Sequence, residues 1–215
     1  MTGSASSHAP SGDTSVRTLL SQARDGNAMT LGRLLQLYRN YLTILATAQL
    51  DTRLRRRLSP SDLVQECMLG AFRDFSQFCG STERELLAWL RRILIHCLHH
   101  AYERHIRAGR RDLRREISLD EINRSLDRSA ARLRRDFGDQ EASPSAPTHE
   151  RERAVEMADK LAVLRPDYRD VIVLRNLQGL SFEEIAQRFS RRPGAVRMLW
   201  LRAIEKLRQA YEVAE

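Results

Sequence analysis

The sequence has few of the features that mark membrane or secreted proteins. Its 215 residues contain no apolar run close to the roughly 18 residues that a membrane-spanning helix needs. The N-terminal residues show no apolar stretch behind a basic start, so we expect no secretory signal. Cysteine is scarce, and Cys67, Cys79 and Cys97 match no paired spacing, which argues against a disulfide framework. These absences predict a cytoplasmic protein without membrane insertion.

Lysine is nearly absent although the chain is strongly basic. Of its 36 basic residues only Lys160 and Lys206 are lysines, and the formal net charge is +8. Arginine suits phosphates and base edges better than an ammonium group does, so this bias favours a nucleic-acid partner. The sequence also lacks a nucleophile–base set and a glycine-rich phosphate loop, and the pair Glu183–Glu184 lies at a helix start. We therefore expect no enzymatic activity and no cofactor.

Strand-like alternation is absent as well, and apolar residues recur at helical spacing, so the predicted fold is all-α. We expect two small helical domains joined by a flexible linker. The predicted parts are a disordered N-terminal tail (1–29), a first domain (30–108), a linker (109–150) and a second domain (151–215). The middle of the linker has a pattern that allows a transient helix.

Two helix starts are well marked in the first domain. Ser59 to Asp62 has the cap, the proline and the acidic residue of a capping box, and Thr82 with Glu85 forms a second one. The helix after Thr82 has an apolar stripe that includes Trp89, which we interpret as a core residue. The helix after Ser59 is predicted to bury Leu63, Val64, Cys67, Met68, Ala71, Phe72 and Phe75.

The second domain contains the most specific pattern. A short capped helix (181–189), a tight turn (190–192) and a longer basic helix from Pro193 have the layout of a helix-turn-helix. Ala186 is small enough for the two helices to cross closely. The outer side of the second helix and its N-terminal end are predicted to contact DNA through Arg191, Arg192, Ala195, Arg197, Met198, Leu201 and Arg202. The alternative is an ordinary helical hairpin with a solvated basic face.

Both domains resemble parts of one protein family. The segment SPSDLVQECMLGAFRDFSQFCGSTERELLAWLRRILIHCLHHAYERH resembles region 2 of bacterial RNA polymerase sigma factors, most sharply at 62–66 and 88–90. The segment LAVLRPDYRDVIVLRNLQGLSFEEIAQRF resembles region 4, most sharply at 180–186. Two such regions with only a linker between them are the plan of the extracytoplasmic-function (ECF) group. The resemblance extends over about residues 30–108 and 151–212.

The resemblance implies an ECF sigma factor that binds core RNA polymerase and directs promoter-specific initiation. Its contacts on the core enzyme would be the clamp helices of the largest subunit and the flap of the second-largest subunit. The core-binding residues would be Asp62, Gln65 and Glu66, which without the resemblance would be interpreted as a cap and two solvated positions. The loop 78–82 and the next helix would melt and read the minus-ten element through Arg84, Arg91, Arg92, Ile95, His96 and His99. The helix-turn-helix would read the minus-thirty-five element.

Some features leave alternatives open. Ser190, Arg192, Ala195 and Leu199 depart from the family pattern in and after the turn, so the promoter sequence is not predicted. The alternative function is a free-standing helix-turn-helix transcriptional regulator. An anti-sigma protein is a possible partner, because many ECF proteins are held inactive by one.

The basic stretch that ends the first domain has two further interpretations. Its arginines are expected to follow DNA phosphates, with a solvated basic tail as the alternative; they are Arg104, Arg107, Arg110 and Arg111. The neighbouring cluster of His96, Cys97, His99 and His100 consists of residue types that ligate metal ions. Cys97 lies on the apolar stripe and no fourth ligand follows at diagnostic spacing, so we predict no metal.

Overall fold

The computed structural model describes residues 12–106, 118–135 and 149–212, and within these ranges the chain is helical and contains no strand. The predicted all-α fold is confirmed. The helices are α1 (Gly12–Arg24), α2 (Ala28–Leu37), α3 (Arg39–Gln49), α4 (Thr52–Arg55), α5 (Pro60–Asp74), α6 (Glu83–Ile106), α7 (Leu119–Arg135), α8 (His149–Val163), α9 (Pro166–Ile172), α10 (Phe182–Phe189) and α11 (Pro193–Glu212). A 3₁₀ turn (Phe75–Gln77) follows α5, and a π-helix (Val173–Leu177) follows α9. Within the described ranges no helix is both long enough and apolar enough to cross a bilayer.

Helices α2, α3, α5 and α6 form the first helical unit. Two buried tyrosines tie its N-terminal helices to α6: the Tyr38 hydroxyl donates to Glu83 Oε1 (2.9 Å), and the Tyr41 hydroxyl accepts from Arg91 Nη1 (3.2 Å). Its interior consists of leucines that are fully buried, namely Leu34, Leu42, Leu45, Leu63, Leu90 and Leu94. Because each helix presents an apolar stripe at helical spacing, the four stripes close into one core.

Helix α1 corrects the predicted disordered tail. Val16, Leu20 and Ala23 lie on one face of this helix and are buried where α1 packs against α2 and α6. The apolar stripe was missed because most residues of this segment are polar. The helix is stable only when it packs on its neighbours, since a short isolated helix is marginal in water. Residues 1–11 of the predicted tail lie outside the described residues.

Helix α7 differs from the prediction in the same way, because it lies inside the segment assigned to a flexible linker. Ile122, Leu126, Ala130 and Leu133 recur at helical spacing and are buried. They pack toward α3 and α6 on one side and toward α8 and the π-helix on the other. The middle of the linker is thus a packed helix, while 109–117 and 136–148 lie outside the described residues.

Helices α8 to α11 form the second helical unit, which also contacts the first. Its core contains Leu161, Val171, Leu174, Ile185, Val196, Ala203 and Leu207. Between the units, Asn40 Nδ2 donates to Asp159 Oδ1 (2.8 Å), and Arg55 pairs with Asp170 (3.3 Å). Gln178 donates to the carbonyl of Ala48. The two units therefore share an interface in this structure, with α3 on one side and α8 with the π-helix on the other.

Candidate nucleic-acid interface

Helix α10 begins at the predicted capping box. The Ser181 hydroxyl oxygen accepts from the Glu184 N–H (3.1 Å), and the Glu184 carboxylate accepts from the Ser181 N–H (2.7 Å). The hydrogen bonds from the Ser181 backbone and side chain hold the pKa of Glu184 below its usual value. Ile185 and Ala186 are buried where α10 meets α11. The small residue predicted at the helix crossing is therefore in the core.

The turn between α10 and α11 depends on an unusual backbone conformation at Ser190. Its φ of 51° and ψ of 43° lie in the left-handed region, and among the described residues it is the only non-glycine with positive φ. The N–H groups of Ser190 and Arg191 donate to the carbonyls of Gln187 (3.4 Å) and Ala186 (3.0 Å), which closes the end of α10. The serine thus fills a position that favours glycine.

Replacing Ser190 with glycine is expected to stabilise the protein by about 1 kcal/mol, because a side chain in the left-handed region costs about 1–2 kcal/mol and glycine recovers part of that cost. Thermal unfolding followed by circular dichroism measures the change. Ser190→Val is the matched control and should lower the stability, since a β-branched residue tolerates positive φ least. A glycine variant that unfolds below the wild-type temperature would refute this account of the turn.

Helix α11 separates a buried face from an exposed one. Val196, Leu199, Ala203 and Leu207 are buried toward the other helices of the unit. All the residues predicted to contact DNA are exposed: Arg191, Arg192, Ala195, Arg197, Met198, Leu201 and Arg202. Leu199 is 8 % exposed, so it does not contribute to the outer face. The structure thus brings the seven predicted residues together on one surface.

Behind this face lies an aromatic and basic cluster that the sequence did not single out. Phe182 stacks edge-on against Trp200 (5.9 Å between ring centroids). The guanidinium groups of Arg175 and Arg197 lie 4.7 and 5.7 Å from the Phe182 ring centroid. Trp200 Nε1 donates to Asn176 Oδ1 (3.0 Å). These contacts position Arg197 at the edge of the recognition surface through a cation–π interaction.

The predicted minus-ten residues on α6 divide by exposure. Arg84, Arg92 and His96 are exposed, Arg91 and His99 are half-buried, and Ile95 is only 8 % exposed. Ile95 lines the cleft between α6 and α7, because α7 packs along α6, so it does not face outward in this arrangement of the chain and its contact with DNA stays a prediction. Arg104 is exposed, whereas Arg107, Arg110 and Arg111 lie outside the described residues.

The loop before α6 is supported by an aromatic cluster. Phe78 lies 5.2 Å from Trp89 and 5.8 Å from Phe75 between ring centroids. A Cβ added at Gly80 would come within 2.6 Å of the Phe78 ring and of Glu85, so only glycine fits the close approach there. Trp89 is half-buried in this cluster, in agreement with its interpretation as a core residue.

The outer face of α5 combines polar and apolar side chains. Gln65 and Glu66 are exposed as predicted, while the Asp62 carboxylate accepts the N–H of Ser59 (3.3 Å) and completes the cap. Leu69 and Phe72 continue this face and are 65 % and 44 % exposed. The prediction that Phe72 is buried is therefore wrong. Phe72 lies at the edge of the apolar stripe of α5, where the sequence spacing does not determine whether a side chain turns inward or outward. Two exposed apolar residues thus lie beside polar ones on this face of α5.

The histidine cluster on α6 divides between two faces. On the inner side, a hydrogen bond from the Cys67 thiol to Cys97, together with burial, raises the pKa of Cys67. Among the described residues one group could hold a metal ion: His99, His100 and Glu103, whose ligand atoms lie within 4.8 Å of one another. The two histidine Nδ1 atoms are 3.8 and 3.7 Å from Glu103 Oε2, distances that side-chain pairing alone explains. The absence of a metal stays a prediction.

Comparison with known proteins places the helix-turn-helix in a described family. Residues 154–207 match the family described as "Sigma-70, region 4". The RNA polymerase sigma factor CarQ from Myxococcus xanthus is 43% identical over 53 residues, which are 25% of this chain and 30% of CarQ. The matching part therefore spans less than a third of that relative.

Two solved structures align with more of the chain at low identity. One is CnrH in complex with the cytosolic domain of CnrY, with 22% identity over 93% of this chain and 98% of that chain, and a TM-score of 0.31. The other is the RsbN–BldN complex, with 21% identity over 88% of this chain and 97% of that chain, and a TM-score of 0.29.

Proposed function

We propose that the protein is an ECF sigma factor, because residues 154–207 match the sigma-70 region 4 family and a sigma factor relative, in agreement with the resemblance seen in the sequence. In this role it binds core RNA polymerase in the cytoplasm and directs initiation at promoters with minus-ten and minus-thirty-five elements. The observation that carries the proposal is the helix-turn-helix, whose first helix, turn and exposed basic face lie within the matched residues. The protein itself catalyses no reaction in this proposal.

In this proposal α11 lies in the major groove of the minus-thirty-five element. Its N-terminal end presents free N–H groups and arginines to phosphates, and Arg197 and Arg202 reach base edges. Each well-formed bidentate arginine–guanine contact contributes about 1–3 kcal/mol of discrimination. Met198 and Leu201 are 50 % and 48 % exposed and suit apolar contact with thymine methyl groups.

The first helical unit supplies the other two contacts of the proposal. The exposed face of α5, with Gln65, Glu66, Leu69 and Phe72, docks on the clamp helices of the largest polymerase subunit. Leu69 and Phe72 provide the apolar centre that such an interface needs, and the polar residues provide its rim. Asp62 contributes by fixing the first turn of this helix.

Helix α6 and the loop before it open and read the minus-ten element. The exposed cations Arg84 and Arg92 follow the DNA backbone. The Phe78–Trp89 cluster fixes the protein loop that receives a base taken out of the DNA stack. His96 lies on the same side and is exposed. Arg91 and Ile95, which line the cleft between α6 and α7, take part once that cleft is open. His99 lies outside the cleft lining and stays a predicted contact. The possible anti-sigma partner stays a prediction.

The proposal is tested by mixing the purified full chain with core RNA polymerase from the same organism. We expect the two to elute as one complex in gel filtration and to produce run-off transcripts from promoters whose transcripts rise when the chain is overexpressed. Core enzyme alone and chain alone are the controls. A chain that binds such a promoter tightly by itself, and gives neither a complex nor a transcript with the core enzyme, would be a free-standing regulator instead.

A further inference from the structure

Helix α7 lies between the two helical units and is part of their common core. Its apolar face, which includes Ile122, Leu126 and Leu133, is buried against α3 and α6 of the first unit and against α8 and the π-helix of the second. The opposite face is polar and includes the exposed residues Arg124 and Arg128. A segment with such a divided surface is docked by hydrophobic burial rather than by the chain connectivity alone.

The N-terminal half of α7 covers the face of α6 to which the proposed function assigns the minus-ten element. A cleft of about 320 Å³ runs between the two helices. The α6 residues that line it include four of the proposed DNA contacts: Arg91, Arg92, Ile95 and His96. With α7 in place, Ile95 is buried while Arg92 and His96 stay exposed, so a DNA strand can reach only part of this face.

The charged side chains that α7 contributes to this cleft are opposite in sign to those of α6. Asp120 and Asp127 line it from α7, opposite Arg91 and Arg92 from α6. Carboxylate and phosphate oxygens are the same class of acceptor for a guanidinium group. Helix α7 therefore brings the class of acceptor that the DNA backbone offers into the same cleft as the α6 arginines, without an ion pair between these described residues.

The C-terminal half of α7 is fixed to both units by hydrogen bonds. The Ser129 hydroxyl accepts from Gln49 Nε2 of α3 (3.1 Å), and Arg132 Nη1 donates to the carbonyl of Leu177 in the π-helix (3.0 Å). The Arg132 guanidinium also packs against Gly179, where an added Cβ would lie 2.6 Å from Nη1. These contacts hold the second unit close to the first while α7 is docked.

The closed arrangement is too small to bind both promoter elements. The two elements are centred about 25 base pairs apart, which is about 85 Å along B-form DNA at about 3.4 Å per base pair. A chain of 215 residues packed as one body has a radius of gyration of only about 17 Å. The two units must therefore separate before α6 and α11 can reach their elements on one promoter.

We propose that α7 is an internal competitor of promoter DNA: while it is docked against α6, it covers part of the minus-ten face and adds to the contacts that hold the two units together. This inference rests on the proposed function, because it takes the covered face of α6 to be the DNA-binding face. Binding to core polymerase and promoter releases α7, and the free chain alone binds promoter DNA weakly.

Hydrogen exchange measured by mass spectrometry tests the release without any substitution. In the free full chain, the amides of residues 118–135 should be protected like those of α3. In the complex with core polymerase and promoter DNA, the same amides should exchange at least about tenfold faster, because their packing partners are gone. Equal protection of α7 in the free chain and in a transcribing complex would overturn the inference while leaving the proposed function intact.

Substitutions in α7 provide the second arm of the test. Asp127→Arg places a cation opposite Arg91 and Arg92, and Leu126→Ala removes a fully buried contact without changing charge. Each should tighten binding of the full chain to fluorescein-labelled minus-ten DNA about tenfold by raising the DNA-competent fraction. The matched controls are Glu121→Arg, an equal charge change on α7 outside the cleft lining, and Leu34→Ala, an equally buried leucine on α2.

The outcomes of the two arms separate this inference from the proposed function. If the variants bind DNA no better than their controls while the wild-type chain transcribes normally with core polymerase, the inference is overturned and the proposed function stands. If a variant fails to fold by circular dichroism, the wild-type exchange measurement still decides. A wild-type chain that neither binds the core enzyme nor transcribes would refute the proposed function, and the inference falls with it.

Discussion

Replacing Arg197 and Arg202 with alanine should lower transcription from a minus-thirty-five-dependent promoter by about 100-fold, while assembly with the core enzyme stays intact. Both side chains are exposed on the outer face of α11, and each bidentate contact to a base contributes about 1–3 kcal/mol. Two such losses correspond to roughly a hundredfold at about 1.4 kcal/mol per factor of ten. The measurement is run-off transcription at fixed core concentration, together with gel filtration of the complex.

The matched control, which also removes two positive charges from α11, is the double variant Lys206→Ala with Arg208→Ala. Both residues lie near the end of the same helix and are exposed, and Arg208 pairs with Glu205 at 2.7 Å, so their loss changes net charge without touching the recognition surface. We expect the control to retain nearly full transcription. Equal losses in the double variant and in the control would show that α11 contributes only general positive charge.

Replacing Leu69 with aspartate should weaken binding to core polymerase by at least about 30-fold. Leu69 is 65 % exposed on α5, and an apolar residue at the centre of an interface commonly contributes about 2 kcal/mol or more to binding. The aspartate would also bring an unpaired charge into the contact, which adds a desolvation cost. Fluorescence anisotropy of the labelled chain titrated with core enzyme measures the affinity.

Met29→Asp is the control for the α5 surface. Met29 is 78 % exposed on α2, so the substitution introduces the same charge at an equally solvated apolar position away from α5. We expect its affinity for the core enzyme to stay within about threefold of wild type, as is usual for surface substitutions outside an interface. If Leu69→Asp behaved like Met29→Asp, α5 would not be the docking helix.

The parts of the fold that were predictable are those whose signals are local. The capping boxes at Ser59 and Ser181 involve side chains only three residues apart, so the starts of α5 and α10 follow from the sequence. The outer face of α11 was also predictable, because a long amphipathic helix has one stripe that must be buried. The basic residues then remain on the opposite side.

The parts that were not predictable depend on distant partners. Helices α1 and α7 are polar in composition, and their buried residues are stabilised only by packing on α2, α3 and α6. The burial of Ile95 follows from the position of α7. The spacing along α6 alone places Ile95 on an outer face, and that part of the face is covered by α7 in the whole chain. Phe72 shows the opposite error, since an aromatic residue beside a stripe was assigned to the core although it faces outward.

The central claim is that this chain and core RNA polymerase together open a bipartite promoter. Permanganate oxidation of unpaired thymines on a promoter that responds to the chain tests it most directly. We predict reactive thymines at the minus-ten element only when chain and core enzyme are both present, and their loss when the minus-thirty-five element is scrambled. Thymines that stay unreactive in the presence of both proteins, or that react with the core enzyme alone, would contradict the account.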